Sequence, residues 1–294
     1  MPTKRSPCES GIFIGLKSVS TDAYLEKEST WAYLIHRNMF KALIELIFYW
    51  FKSNAMMTED YVFVFVHGAW HGEWCFERKL MPLFRKNNYR AIAFDLPGSG
   101  DDETKDISLE SYVQKTLSVI HENTKEHEKV VLVCHSFGGV TGTLVAEQIP
   151  HKIQCIIYLA AYYLTDGQSA ADIEIKTPSG YITDDYKYLG IKDENVKWAL
   201  CEDCSDEDVE FVKSKIKIQV LKPFIQPIGV TGFIDTVKKY YIKSLDDKAL
   251  PPDIQENMYS GHINDVIEMA SSHSPFLSHP DELFSILLKI ANST

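Results

Sequence analysis

"VVLVCHSFGGV", residues 130–140, sets four apolar β-formers ahead of a sharp turn and a run of glycines. Val130–Val133 reads as a strand buried on both faces, because the stretch is continuously apolar rather than alternating. Past His135, Ser136 and Phe137 come Gly138, Gly139 and Gly142, and Val140 to Ile149 reads as a helix that Pro150 ends. Ser136 therefore stands at the apex of a strand, a tight turn and a helix. Small residues two before and two after a serine let such a turn close and leave the hydroxyl at the strand's carboxyl end. The usual pattern is G-x-S-x-G, and here Cys134 replaces the first glycine. Taken alone, the stretch fits a surface serine in a β-to-α loop as well as it fits a nucleophile elbow.

The surrounding chain supplies the context. "YVFVFVHG" (61–68) reads as a buried strand, "YRAIAFDLPGSG" (89–100) as a strand running into a turn, and "KIQCIIYLAA" (152–161) as another strand. Between them lie helical patterns, clearest after Ser108, where Leu109, Tyr112, Val113, Thr116, Leu117 and Ile120 recur with helical spacing. Late in the chain "KKYYIKS" (238–244) and "DVIEMA" (265–270) read as further strands, and 280–291 as a closing helix with Pro280 in its first turn. Alternation of strand and helix argues for an α/β fold with a mostly parallel sheet of about six strands covered on both faces. Between about 165 and 235 the rhythm fails, and acidic helical pieces such as 193–200 and 205–217 take over. That stretch reads as an inserted helical cap.

Composition bounds the function classes. The chain has 294 residues, 45% of them apolar and 24% charged, as a globular domain would. A net charge of -11 argues against nucleic acid or an anionic membrane as the main partner, since both require clustered Lys and Arg. Six cysteines without a framework spacing imply a reduced, cytoplasmic setting. Cys201-Glu-Asp-Cys204 is a lone C-x-x-C in an acidic stretch, which reads as an exposed helix or loop rather than a zinc site.

Residues 1–56 read as an accessory extension ahead of a domain from 57 to 294. Its segment 31–51, "WAYLIHRNMFKALIELIFYWF", is strongly apolar but carries His36, Arg37, Lys41 and Glu45, which is costly for a spanning helix. A docked amphipathic helix, a weak interfacial membrane contact and a segment outside the functional unit all remain open.

In an open parallel sheet, ligands bind where the strands' carboxyl ends converge. Polar residues that follow the predicted strands are therefore the candidates. After the first strand come His67-Gly68-Ala69-Trp70-His71-Gly72, whose glycines free backbone N–H groups to face a neighbour, as an oxyanion site requires. The two histidines lack the H-E-x-x-H pattern of a metal pair. Ser136 follows the next candidate strand, Asp246 and Asp247 follow 238–244, and His273 follows the last strand. Serine, aspartate, histidine is the chain order of the α/β-hydrolase triad. Each has a plain alternative, Asp247 as a helix cap and His273 as a loop histidine like His279, but the ordered set is a rarer coincidence than any member.

Six separated segments, "FVHGAWHGEWCF", "AFDLPGSGDD", "VLVCHSFGG", "IIYLAAYYLTDGQS", "YYIKSLDDKALPPDIQENM" and "SSHSPFLSHPDEL", resemble the α/β-hydrolase group of plant methyl esterases, hydroxynitrile lyases and bacterial esterases. The resemblance runs from about 61 to 292. It implies Ser136 as nucleophile, His273 as general base and Asp247 as its orienting acid, because the family's aspartate directly precedes a "K-A-L-P"-like segment. It implies the backbone N–H groups of Ala69 and Phe137 as oxyanion donors, and no metal or cofactor. Hydroxynitrile lyases of this group carry a threonine where this chain has Gly68 and a lysine where it has Ser274, so the resemblance favours the esterase branch. The expected activity is hydrolysis of small to medium, apolar or aryl esters through an acyl-enzyme. Lyase-type C–C cleavage, or a ligand receptor of the same fold, is the alternative. Gly68, Trp70, His135, Ser274 and Phe276 are the expected pocket residues, with a small-molecule ester as partner. The oligomeric state, a homodimer among the options, stays open.

Overall fold

The computed structural model describes residues 61–175 and 180–294, and Ile44. The chain divides into two units, Met1–Thr58 and Glu59–Thr294, and the elements named below belong to the second. The accessory-extension reading of 1–56 and the amphipathic reading of 31–51 lie outside the described residues, Ile44 aside.

The first half of the domain alternates β1 (Tyr61–Val66), α1 (Trp74–Glu77), α2 (Leu80–Lys86), β2 (Ala91–Ala93), α3 (Leu109–Asn123), β3 (Lys129–His135), α4 (Gly138–Gln148) and β4 (Ile153–Leu159). Residues 165–235 then contribute β5 (Gly180–Ile182), β6 (Tyr188–Ile191), α5 (Asp193–Leu200), α6 (Asp206–Lys215), β7 (Gln219–Val220) and α7 (Lys222–Ile225). The chain returns to the main sheet with β8 (Lys238–Ser244), α8 (Pro252–Tyr259), β9 (Asp265–Met269), α9 (Pro275–Ser278) and α10 (Pro280–Ser293). Six strands form one sheet in the order β2-β1-β3-β4-β8-β9, with every neighbouring pair parallel. All six carboxyl ends therefore open on the same edge.

The continuous apolar runs follow from burial on both sheet faces. Val64, Val66, Leu132, Ile156 and Tyr241 join one core cluster, while Phe63, Phe65, Val131, Ile157 and Ile242 join the other. Successive residues of one strand thus serve opposite cores. Helix α3 starts where Ser108 and Ser111 close a reciprocal capping box, and its buried face is Leu109, Tyr112, Val113, Thr116, Val119 and Ile120.

Residues 165–235 hold more than the helices read from sequence: β5, β6 and β7 make a second, antiparallel sheet. The insertion is fastened to the domain by buried carboxylates. Asp208 on α6 accepts from Arg78 Nε at 2.7 Å and Lys79 Nζ at 2.5 Å. Desolvation works against its charge, but hydrogen bonds from Lys79, Ser205 and Arg78 prevail and hold its pKa down at about 2. Glu147 on α4 accepts the backbone N–H groups of Thr231, at 2.7 Å, and of Ile234, at 2.8 Å.

Cys201 and Cys204 are not on an exposed helix or loop; both thiols are buried, at 0% and 8% exposure. The intervening Glu202 and Asp203 suggest solvent, yet the turn between α5 and α6 sends the cysteines inward onto Val196, Val209 and Val212 in the same core cluster.

Candidate active site

The turn after β3 is strained in the manner of a nucleophile elbow. Ser136 has φ 53, in the left-handed region that a side chain enters at a cost. Three backbone bonds fix it there: its N–H donates to Leu159 at 3.2 Å, and its carbonyl accepts from Gly139 and Tyr162, each at 3.0 Å. The departure at Cys134 has a local compensation. A Cβ added at Gly142 on α4 would come within 2.2 Å of Cys134 Sγ, so the space the thiol needs is left open across the strand–helix contact.

The loops after β8 and β9 bring an acid to a base. His273 Nδ1 lies 2.7 Å from Asp247 Oδ2, with both residues almost fully buried. The other carboxylate oxygen accepts the N–H groups of Ala249 at 2.9 Å and Leu250 at 2.8 Å, and Gln255 Nε2 donates to Oδ2 at 3.3 Å. Both Asp247 oxygens thereby act as acceptors, which makes His273 Nδ1 the donor of their bond and leaves Nε2 as the ring's other nitrogen for chemistry. Asp246 points elsewhere: it is exposed, and its N–H donates to the Ser271 carbonyl at 3.0 Å.

Ser136 and His273 line one cavity of about 460 Å³, together with Ala69, Phe137 and Tyr162. Among the described hydrogen bonds none joins Ser136 Oγ to His273; such bonds often tighten only when substrate is bound. The Ala69 and Phe137 amides donate to no group among those bonds either. The Ala69 loop is built by histidines: His67 Nδ1 donates to the Gly68 carbonyl at 2.8 Å while His67 Nε2 accepts the Leu96 N–H at 3.0 Å. With both ring nitrogens used, His67 offers no lone pair to a metal shared with His71. Among the described residues no group of His, Cys, Asp and Glu is arranged to hold a metal ion.

The pocket assignments need correction. Of the five expected lining residues only Trp70 faces the cavity. Gly68 lies beneath the elbow, where an added Cβ would come within 2.6 Å of Ser136 Cβ. His135 and Phe276 sit behind the His273 loop, with ring centroids 4.9 Å apart, because Pro275 starts α9 and turns the chain into the core. Ser274, 1% exposed, is the residue just before that turn. His135 has its own task, since its Nε2 donates to the His273 carbonyl at 2.9 Å. Desolvation first, then the nearby His273 and His71, keep its pKa well below the usual value, so it stays neutral beside His273.

The remaining wall comes from the insertion: Ile173, Ile175, Ile182, Leu189, Leu221 and Phe224 all line the cavity. Sequence reading missed them individually. The alternation of Ile173 and Ile175 is the one signal available, and it is too short to read as a strand.

A comparison of the sequence with known families matches residues 63–286 to the alpha/beta hydrolase family. The chain belongs to that family. Among curated relatives of this α/β-hydrolase, methylesterase 10 of Arabidopsis thaliana is 31% identical over 254 residues, covering 78% of this chain and 91% of the relative. Salicylic acid-binding protein 2 of Nicotiana tabacum is 28% identical over 260 residues, covering 80% and 99%. Some relatives are longer, and the chain spans 63% of one chloroplastic Arabidopsis methylesterase homologue. Solved structures agree. An Arabidopsis methylesterase superposes with TM-score 0.68 at 26% identity, covering 80% of this chain and 100% of the other. Polyneuridine aldehyde esterase gives 0.68 at 25% identity, covering 79% and 99%.

Proposed function

We propose that this α/β-hydrolase is a carboxylic-ester hydrolase working through a Ser136–His273–Asp247 triad. The observation that carries the reading is the buried His273 Nδ1 to Asp247 Oδ2 bond at 2.7 Å, placed where His273 shares a cavity with the strained Ser136. The relatives named as methylesterases and esterases support it. His273 Nε2 takes the Ser136 proton and Oγ attacks the ester carbonyl. The tetrahedral oxyanion is received by the Ala69 and Phe137 N–H groups. His273 then returns the proton to the departing alcohol, and water, activated by the same nitrogen, releases the acid and restores Ser136. Asp247 holds the tautomer and stabilises the imidazolium.

The cavity wall is apolar and, among the described residues, contains no Lys or Arg. That suits an uncharged aliphatic or aryl ester, and offers no cation to steady a departing cyanide, which disfavours cyanohydrin cleavage. The test is hydrolysis of a p-nitrophenyl ester series from acetate to decanoate by wild type, Ser136→Ala, Asp246→Asn and Asp247→Asn. Ser136→Ala is expected to be inactive. Asp247→Asn is expected to lose about 10³- to 10⁴-fold in kcat, and Asp246→Asn less than about threefold. A folded wild type that is inert across the series overturns the proposal.

A further inference from the structure

Trp70 follows Ala69 with a φ of 64, a second side-chain-bearing residue in the left-handed region beside the site. Such a conformation persists only where its surroundings over-determine it. Here the surroundings are the small sheet of the insertion. The Trp70 N–H donates to Gln219 Oε1 at 3.1 Å, and its indole Nε1–H donates to the Leu189 carbonyl at 3.0 Å. The Trp70 carbonyl accepts the Lys217 N–H at 3.3 Å. Leu189 and Gln219 are cross-strand partners on β6 and β7, so both grips come from one register. On β5 the indole lies over Gly180, where an added Cβ would meet Cζ2 at 2.8 Å. Each strand of the small sheet thus touches this one residue.

The peptide planes on either side of Ala69 show what the grip controls. The Gly68 carbonyl is held by His67 Nδ1 at 2.8 Å, which leaves the Ala69 N–H of the same peptide directed away from that bond. The next peptide is pinned at both ends: the Ala69 carbonyl accepts from His71 Nδ1 at 2.7 Å, and the Trp70 N–H goes to Gln219. All these holds lie within the loop except the last. Gln219 is 7% exposed and is not part of the cavity wall.

We infer that Gln219 is a positioning residue for the oxyanion site: by taking the Trp70 N–H it keeps the strained turn in the one conformation that aims the Ala69 N–H at the reacting oxygen. The inference rests on the catalytic reading above. It makes the insertion a working part of the catalytic apparatus as well as a wall for substrate.

The experiment compares Gln219→Met and Gln219→Leu, which remove the acceptor, with Gln219→Glu, whose carboxyl offers an oxygen acceptor in either protonation state. Measured are kcat and KM on a soluble p-nitrophenyl ester, thermal melting, and binding of an alkylboronic acid, whose tetrahedral adduct with serine places an oxygen at the oxyanion position. Loss of the acceptor is expected to lower kcat by about tenfold to a hundredfold and to weaken boronate binding in parallel. KM should change by less than about threefold, and Gln219→Glu should recover most of the rate. Wild-type kcat and boronate affinity in either acceptor-less variant overturns the inference. So does a parallel fall of all three variants with their melting temperatures, since Gln219 would then serve only the fold. Ser136→Ala is run alongside: full turnover there overturns the catalytic reading itself, whereas its loss with an unaffected Gln219→Met overturns the positioning role alone.

Discussion

Cys134 illustrates how a residue that breaks a motif can keep its geometry. The elbow needs close approach of β3 and α4, and the first glycine of the usual pattern normally supplies it. Here the room is made on the opposite side, at Gly142, whose missing Cβ leaves space for Sγ. The two positions should therefore be coupled. Gly142→Ala is expected to destabilise the fold by about 1–3 kcal/mol through overpacking. Cys134→Gly in the same chain should remove most of that cost. Denaturant melts of the two single variants and the double variant give the coupling energy, and additive effects would show that the sites do not share this space. The serine turn alone is ambiguous in the sequence, and it becomes legible as an elbow only through Asp247 and His273, which follow later strands in the matching order. The role of Gly142 is not legible, because a glycine in a helix gives no sign of what it faces.

At the level of elements, the long buried strands were legible and the short ones were not. β1 and β3, packed in the middle of a parallel sheet, carry continuous apolar runs, and β8 (Lys238–Ser244) is legible over its full extent from the β-formers Tyr240, Tyr241 and Ile242 at its centre. β5, β6 and β7 have three, four and two residues and are mostly half-exposed or exposed, too little for any periodicity to emerge. Trp70 faces the cavity as expected, whereas Ser274 and Phe276 fall outside it for a related reason. They neighbour His273 in sequence, but α9 turns them behind it, while much of the cavity wall arrives from the insertion. Within that wall, α7 supplies Phe224, stacked on Phe137 with ring centroids 4.8 Å apart and edge-on to Tyr162 at 5.6 Å. Phe224→Ala should lengthen the cavity beside the elbow. The preferred acyl chain in the p-nitrophenyl series is expected to shift longer by about two to four carbons, since each buried CH₂ contributes about 0.8 kcal/mol. An unchanged optimum would place the acyl chain elsewhere in the cavity.

For the whole molecule, three buried histidines tie stability to acidity. Burial lowers the pKa of His67, brings His71 down to about 3 and holds His135 well below 6.5. The unfolded chain takes up protons on these rings below about 6.5, and the folded chain does not. Stability is therefore fully present above about 6.5 and falls as pH drops, for His71 down to about 3. The slope is about 1.4 kcal/mol per pH unit for each histidine in that window. Urea melts between pH 7.5 and 4.5 should show it, and replacing His71 by Gln should flatten it. A slope unchanged in His71→Gln would show that His71 is not the titrating group. The sheet's parallel order has a temporal consequence. Each neighbouring pair must be joined by a crossover, and β4, ending at Leu159, waits for β8, beginning at Lys238, before it gains its second partner. Chains that depend on such distant pairings fold slowly, because loop closure comes before the contacts that reward it. Ser136 stands on the early side of that gap, Asp247 and His273 on the late side. In refolding from urea, helical circular dichroism is expected to return first and ester turnover last, so that enzymatic activity becomes the clock for the final joining of the sheet.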